Sequence, residues 1–203
     1  MITASEVGAV VGTNPYMKED KLLRMKLGLE KFNGNAATAW GNTHEDAVRD
    51  WFCEKYGEKC HETGCVRHES IPFLGASPDG ILESGAVLEI KCPMYRTPEE
   101  GLIPAYYVSQ MQLQMEVCNL DKCYFVEWKP CREMFGEDVY MVQIVNRDRK
   151  WVDDNIDKLT KFWHRLQSYR NDPSKVAELR AKLESRPPRK KRRVTGTDIA
   201  FLE

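Results

Sequence analysis

Hydrophobic and polar positions repeat with two different periods along this chain, and each period predicts its own kind of element. Apolar side chains recur every three or four positions between Thr38 and Tyr56, and again between Asp148 and Tyr169. This spacing places apolar groups along one face of an α-helix. Shorter helices are predicted where start or stop signals flank an unbroken run, at Thr3 to Gly12, Lys18 to Leu27, Ala105 to Cys118 and Pro173 to Leu183.

Short apolar stretches separated by turn residues predict β-strands in two parts of the chain. The first part lies before Lys91 and has Gly85 as a hairpin pivot. Its predicted strands are Cys65 to Arg67, Ile71 to Ala76, Gly80 to Leu82 and Ala86 to Lys91. The second part has two alternating strands, Lys122 to Trp128 and Val139 to Val145, with a turn around Phe135 and Gly136. Helices and strands in this order predict an α/β domain.

The composition is that of a globular protein. Hydrophobic residues make up 42% of the 203 residues and charged residues 30%, which argues against a disordered or fibrous chain and suits one domain, expected over residues 1–185. No apolar run reaches the roughly 18 residues that a membrane span needs, so no membrane partner is expected. Seven scattered cysteines do not fit a small secreted disulfide scaffold. We therefore expect reduced thiols and an intracellular protein.

The formal net charge of −1 conceals a basic C-terminal region. The stretch from Arg180 to Arg193 carries +7, so the remainder of the chain carries −8. Residues 186–203 have no apolar periodicity and are predicted to form a flexible tail. Five consecutive basic residues in it resemble a monopartite nuclear localisation signal: Arg189, Lys190, Lys191, Arg192 and Arg193. A DNA-binding arm and a merely solvated tail are the alternatives.

Three charged residues are the strongest candidates for chemistry. Asp79 lies in the turn that opens one predicted strand, and Glu89 and Lys91 are two positions apart on the next strand, so they point to the same face. Two carboxylates and the Ile90 carbonyl are hard oxygen ligands of the kind that Mg²⁺ prefers. A lysine beside them can stabilise charge on a phosphate. The alternative is an exposed hairpin with an ordinary Glu-Lys pair.

Asp79, Glu89 and Lys91 match the PD-(D/E)xK nuclease signature, and their surroundings resemble the lambda exonuclease and YqaJ-type viral recombinase family. Four blocks in the family's order carry the resemblance: Ile2 to Val7, Ala39 to Gly41 with Glu45, Ser77 to Gly80 with Leu88 to Pro93, and Ala105 to Gln112. The resemblance implies a restriction-endonuclease-like α/β core, with a mixed central sheet flanked by helices. It also implies hydrolysis of DNA phosphodiesters with Mg²⁺, for which Mn²⁺ substitutes.

The resemblance further implies roles for individual residues. Asp79, Glu89 and the carbonyl of Ile90 match the metal ligands, and Lys91 matches the catalytic lysine. Other matching residues at the active site are Glu45, Gln110 and the aromatic Tyr107.

The resemblance also concerns the end of the DNA. Ser5 matches a serine that helps to hold the terminal 5′-phosphate, and a helix N-terminus is suited to an anion. Relatives have an arginine a few residues upstream of that serine, whereas this sequence starts at Met1. We therefore expect a weakened 5′-phosphate preference, unless a basic residue such as Arg96, Lys18 or Lys21 takes the arginine's role.

The function implied is that of a 5′→3′ exonuclease on double-stranded ends in DNA recombination, repair or replication. The family often works beside a single-strand annealing protein, and its members can form homo-oligomeric rings. Two alternatives remain open: a structure-selective or site-specific endonuclease, and a DNA-binding module without catalysis. A zinc site is a further alternative because four ligand types lie close in sequence, Cys60, His61, Cys65 and His68. An iron-sulfur nuclease is disfavoured, since no cysteine follows Cys131.

The tail is expected to be separable from the chemistry because it contributes nothing to the core pattern. Removing residues 186–203 should leave cleavage of short duplexes unchanged and abolish nuclear accumulation. Microscopy of both forms tests this against the passive entry of a small inert protein. Loss of DNA affinity with a shallower salt dependence would instead identify the tail as a DNA arm.

Overall fold

The computed structural model describes residues 1–31, 34–131 and 137–185, which contain both helices and strands. In chain order the elements are β1 (Ile2–Thr3), α1 (Ala4–Val11), α2 (Glu19–Lys26), α3 (Ala36–Tyr56), β2 (Cys60–His61), β3 (Val66–Arg67), β4 (Leu74–Ala76), β5 (Gly80–Leu82), β6 (Val87–Lys91), α4 (Ala105–Cys118), β7 (Lys122–Lys129), β8 (Val139–Asn146), α5 (Trp151–Arg170) and α6 (Pro173–Glu184). The basic tail and the turn expected around Phe135 and Gly136 lie outside the described residues.

A mixed five-stranded sheet has the spatial order β2-β5-β6-β7-β8. Its β6 and β7 are parallel, and its other neighbouring strands are antiparallel. Parallel neighbours need a crossover connection, which α4 supplies between β6 and β7. A smaller sheet has the order β1-β4-β3, with β1 and β4 parallel. The predicted α/β fold, a mixed sheet flanked by helices, is confirmed.

Strand β6 is covered by a helix on each face. Leu88 packs in one apolar cluster with Phe52 of α3, while Val87 packs in another with Met111 of α4. Because side chains alternate along a strand, Glu89 shares the α4 face with Val87. The sheet therefore carries a carboxylate into the interior beneath α4.

A second apolar core fixes α1 and α4 to each other and to the long helix α5. Its buried members include Val7 of α1, Leu23 of α2, Leu113 of α4 and Phe162 of α5. Helix α4 thus belongs to two cores, which holds its orientation over β6. None of the helices in the described ranges combines the length and the apolar character that a membrane span requires.

The strand predicted from Ile71 to Ala76 is shorter in the structure, where β4 begins at Leu74. Nδ1 of His68 accepts hydrogen bonds from the backbone N–H groups of Ser70 and Ile71, and the Leu74 N–H donates to the Ile71 carbonyl. These bonds close turns over residues 68–74, so the paired strand begins only at Leu74. The two-residue strand β1 was not predicted, because so short a segment carries no periodicity of its own.

Gly80, the first residue of β5, has no room for a side chain. A Cβ atom built on it would lie 2.0 Å from Sγ of Cys60 on the neighbouring strand β2. By contrast, nothing lies within 4 Å of a Cβ atom built on Gly41 in α3. The close approach of Cys60 therefore favours glycine at position 80, the first position of β5.

We expect Gly80→Ala to lower the free energy of unfolding by about 1–3 kcal/mol, because the new methyl group displaces Cys60. The control Gly41→Ala should raise it by about 0.5–1 kcal/mol, since alanine favours the helix more than glycine does. Urea denaturation measures both changes. Replacing Cys60 by alanine should reduce the cost of Gly80→Ala, and an unchanged cost would contradict the steric explanation.

Candidate active site

The turn that holds Asp79 is bonded directly to strand β6. Asp79 precedes the first residue of β5, and β5 pairs with β6 so that Gly80 lies opposite Leu88. Oδ2 of Asp79 accepts a hydrogen bond of 2.6 Å from the backbone N–H of Ile90. The side chain therefore reaches across the hairpin to the residue between Glu89 and Lys91.

Glu89 is fully buried, and three side chains donate hydrogen bonds to its carboxylate. Oε1 accepts from Lys91 Nζ and, at 2.5 Å, from Gln110 Nε2. Oε2 accepts from Gln114 Nε2 at 2.5 Å. Gln110 and Gln114 are one turn apart on α4, so a single helix face clamps both oxygens.

The environment of Glu89 raises its pKa above that of an ordinary glutamate. Burial raises the pKa of Glu89 to about 7; the nearby Asp79 carboxylate raises it too, while Lys91 and the Gln114 hydrogen bond lower it. Desolvation is the largest cause, because a buried carboxylate loses its hydration.

Lys91 remains charged in this site. Burial lowers the pKa of its ammonium, but the Glu89 and Asp79 carboxylates outweigh burial and hold the pKa well above its usual value. Nζ also donates to the Ile90 carbonyl at 3.1 Å and lies 5.4 Å from the centre of the Tyr107 ring. The cluster therefore presents one ammonium group among carboxylates.

Glu45 approaches the cluster from α3, on the side of the Asp79 turn. Burial raises the pKa of Glu45, and the Asp79 carboxylate adds to this, while Lys91 and Arg49 oppose it. Arg49 donates to Glu45 Oε1 at 3.2 Å and to the backbone carbonyl of Asp79 at 3.1 Å. Arg49 thus fixes the helix to the turn that carries the acid.

A cavity of about 340 Å³ opens beside these residues, between α3, the end of β6 and the start of α4. Glu45, Lys91 and Tyr107 line it, together with the Ile90 and Cys92 positions of the strand end. This volume falls within the range of small-molecule sites. The charged cluster therefore has an opening toward a ligand.

The donor set at the cluster suits a hard divalent cation. No three His, Cys, Asp or Glu side chains in the described part of the chain are grouped so as to hold a metal. The candidate ligands at this cluster are two carboxylates and one carbonyl. Asp79, Glu89 and the Ile90 carbonyl supply only oxygen, which Mg²⁺ prefers. The ammonium of Lys91 already contacts Glu89 Oε1 and the Ile90 oxygen. The positive charge of Lys91 thus already lies beside two of the three candidate ligand groups.

The residues expected at the DNA end, Ser5 and Arg96, have contacts of their own. Ser5 is exposed in the first turn of α1, with Oγ 3.3 Å from the Thr3 hydroxyl. The Glu6 carboxylate accepts from the Thr3 N–H at 2.9 Å, as a capping box requires. Arg96 is engaged in an ion pair with the fully buried Glu127 of β7.

The structure does not support the zinc alternative, because the described residues contain no cluster of His, Cys, Asp and Glu side chains fit to hold a metal, and His61, Cys65 and His68 have different partners. Nδ1 of His68 accepts hydrogen bonds from two backbone N–H groups, and Nε2 of the same ring lies 3.4 Å from the Glu116 carboxylate. His61 lies 3.5 Å from Glu83. The sulfur of Cys65 lies 3.7 Å from that of Met1.

Sequence reasoning missed Gln114, Arg49 and Glu127. Glu127 lies opposite Lys91 in the register of β6 and β7, and a charged residue inside an apolar strand was a signal for it. The spacing of Glu45 and Arg49 indicated a helical ion pair but not the bond to the Asp79 carbonyl. Nothing in the sequence distinguished Gln114 from other helical glutamines.

The sheet, the hairpin acid and the strand Glu-x-Lys pair define a restriction-endonuclease-like α/β domain. The family model described as the YqaJ-like viral recombinase domain matches residues 1–121. The chain therefore belongs to this family.

Solved structures of exonucleases share the fold. The alkaline exonuclease LHK-Exo from Laribacter hongkongensis is 26% identical with a TM-score of 0.70, covering 88% of this chain and 94% of that one. Its complex with dAMP is 27% identical with a TM-score of 0.72 and the same coverage. A phage-related exonuclease from Haemophilus somnus 129PT has a TM-score of 0.62, covering 82% of this chain and 95% of that one; at 17% identity it supports the fold alone.

A viral protein is also similar in sequence. Uncharacterized protein R354 of Acanthamoeba polyphaga mimivirus is 28% identical over 63% of this chain. The match spans 27% of that protein's length, so it concerns only one part of the viral protein.

We expect the elevated pKa of Glu89 to make stability depend on pH. An unfolded glutamate titrates near pH 4.3, so the stabilisation from protonated Glu89 is complete below about pH 4 and declines as pH rises toward about 7. Glu89→Gln removes this titration. The free energy of unfolding of the variant should therefore rise relative to the wild type by roughly 1–3 kcal/mol between pH 5 and pH 8.

Urea denaturation at several pH values, in EDTA, measures this difference. Gly41→Ala supplies the control, since it changes no titratable group and its difference from the wild type should therefore be independent of pH in this range. A constant difference between Glu89→Gln and the wild type would contradict the assignment of a buried, titrating Glu89.

Proposed function

We propose that this chain is a Mg²⁺-dependent deoxyribonuclease that degrades double-stranded DNA from its ends in the 5′→3′ direction. The observation that carries the proposal is the buried Glu89 carboxylate, which lies near Asp79 and contacts Lys91, a residue that lines a cavity. The fold shared with alkaline exonucleases supports the same reaction class. Recombination or repair at DNA ends is the process that such an activity serves.

The metal would be held by Asp79, Glu89 and the Ile90 carbonyl. When bound, the ion would act as a Lewis acid that lowers the pKa of water and offsets the charge of the phosphate. Lys91 is charged and lines the cavity, which suits it to stabilise the negative charge that develops on the phosphate. Gln110 and Gln114 hold Glu89 in one orientation through both oxygens.

Glu45 is suited to exchange a proton at the cavity. Glu45 lines the cavity, and both burial and the Asp79 carboxylate raise its pKa. A raised pKa makes a carboxylate a better proton acceptor, as general acid–base catalysis requires. Arg49 limits this rise and fixes the orientation of Glu45.

LHK-Exo is known in complex with dAMP, a deoxynucleoside monophosphate. We propose that mononucleotides are the product here as well, and that the cavity beside Tyr107 receives the terminal nucleotide. Ser5 is the proposed contact of the 5′-phosphate, with Arg96 as an additional cationic group. The 3′ strand left by such degradation is a substrate for a strand-annealing protein, which is the partner we propose.

Linear duplexes labelled at either the 5′ or the 3′ end, incubated with Mg²⁺, test the proposal. We expect the 5′ label to appear early as a mononucleotide, while the 3′ label stays on the shortening strand. Asp79→Asn, Glu89→Gln and Lys91→Met should each reduce turnover by about a hundredfold or more, because each removes an ion ligand or a charge partner. Glu83→Gln, on the exposed side of the same hairpin, should retain wild-type turnover.

Internal fragments would indicate an endonuclease, and no cleavage by the wild type would indicate a binding module. The 5′-end assignment is tested with duplexes that carry a 5′-phosphate or a 5′-hydroxyl. Ser5→Ala is expected to reduce the preference for phosphate by roughly twofold to tenfold, the value of one hydrogen bond. An unchanged preference would remove Ser5 from the phosphate site.

A further inference from the structure

The Lys91 ammonium lies against the same atoms that the proposed metal requires. It donates to Oε1 of Glu89 and, at 3.1 Å, to the carbonyl oxygen of Ile90. These are two of the three candidate ligand groups. The side chain folds back along its own strand to reach them, although it also borders the cavity.

We propose that Lys91 is an internal counter-cation that a divalent ion displaces, so that metal binding and the placement of the catalytic ammonium are coupled. This inference rests on the proposed metal-dependent function and adds a step to it. In the metal-free protein Lys91 neutralises the ligands. In the metal-bound protein its ammonium is released toward the cavity.

The burial of Glu89 explains why a counter-cation is needed. A fully buried carboxylate is costly unless it is paired with a positive charge and hydrogen-bonded. Gln110 and Gln114 supply hydrogen bonds but no charge. Lys91 supplies the positive charge that directly contacts Glu89.

The occupancy of Oε1 explains why the ammonium must leave. A carboxylate oxygen has about two lone-pair positions, and Oε1 of Glu89 already accepts from both Lys91 and Gln110. A metal that uses this oxygen therefore competes with one of these donors. The lysine is the donor that the ion's own positive charge repels.

The released ammonium has a place to go. Lys91 and Tyr107 both line the cavity, and Nζ lies 5.4 Å from the centre of the Tyr107 ring. The four-carbon stem of a lysine is flexible, so its head can turn from the strand toward the cavity. There it would lie within reach of a bound phosphate, beside Glu45, which also lines the cavity.

Displacement predicts an effect of Lys91 on metal affinity that would not be expected if Lys91 acted only in catalysis. Removing the lysine should strengthen metal binding, although it abolishes cleavage. Titration calorimetry with Mn²⁺, without DNA, measures the affinity of the wild type, Lys91→Met and Lys59→Gln. We expect Lys91→Met to bind Mn²⁺ about tenfold more tightly than the wild type, because a competing charge is gone.

Lys59→Gln is the control, since Lys59 is an exposed cation whose ammonium lies 3.6 Å from Glu83 and contacts none of the proposed ligand atoms. It should change Mn²⁺ affinity by less than about threefold. An equal gain in both variants would overturn displacement in favour of a general field effect. Unchanged or weaker binding by Lys91→Met would overturn it directly.

A second measurement needs no substitution. Modification of lysines by acetic anhydride, read by peptide mass spectrometry, should increase at Lys91 by at least about threefold when Mn²⁺ is saturating, because the ammonium leaves its carboxylate partner. The exposed Lys122 serves as the internal reference. Modification of Lys91 that does not change with Mn²⁺ would overturn the proposal.

These outcomes separate the inference from the proposed function. If the wild type binds Mn²⁺ and cleaves DNA but Lys91 shows neither effect, displacement fails and the nuclease assignment stands. If no form binds Mn²⁺, the metal site and displacement fail together.

Discussion

The burial of one negative charge in the central sheet determines the arrangement of everything around it. Glu89 lies in the second strand of a hairpin whose two faces are covered by α3 and α4, so it is fully removed from solvent. A buried carboxylate without partners costs several kcal/mol, and its partners must therefore come from the protein itself. They come from β6 and from α4, with Asp79 held close by the Ile90 N–H. The same contacts hold the fold together and form the site.

The parallel pairing of β6 and β7 extends this arrangement. Two parallel strands end at the same edge of a sheet, which is where ligands bind in α/β folds. Lys91 lies opposite Glu127 in this register, and Glu127 is in turn paired with Arg96. Positive and negative groups thus alternate across the edge. This order allows several charges to be buried side by side, because each one has a partner of opposite sign.

The sequence predicted the features that depend on the spacing of residues within one helix or strand. The helix predicted from Thr38 to Tyr56 is α3, and the two-residue spacing of Glu89 and Lys91 places both on the face that meets α4. Long-range contacts were not predictable in the same way. The pairing of β1 with β4, and the contact of Gln114 with Glu89, join segments whose own residues carry no signal for a distant partner. The strand predicted before Leu74 failed because His68 closes a turn there.

The electrostatics of the site couple its ligands to one another. Asp79 raises the pKa of both Glu45 and Glu89, so the carboxylates repel each other, and a cation relieves that repulsion. A DNA phosphate brings further negative charge to a chain whose residues outside the basic stretch already carry −8. Any cation that binds at the acids therefore also reduces the cost of bringing the phosphate to them. By reciprocity, a bound phosphate must strengthen the binding of that cation, because coupling between two ligands acts equally in both directions. An acidic nuclease of this design would thus assemble its site most completely when DNA and metal are present together.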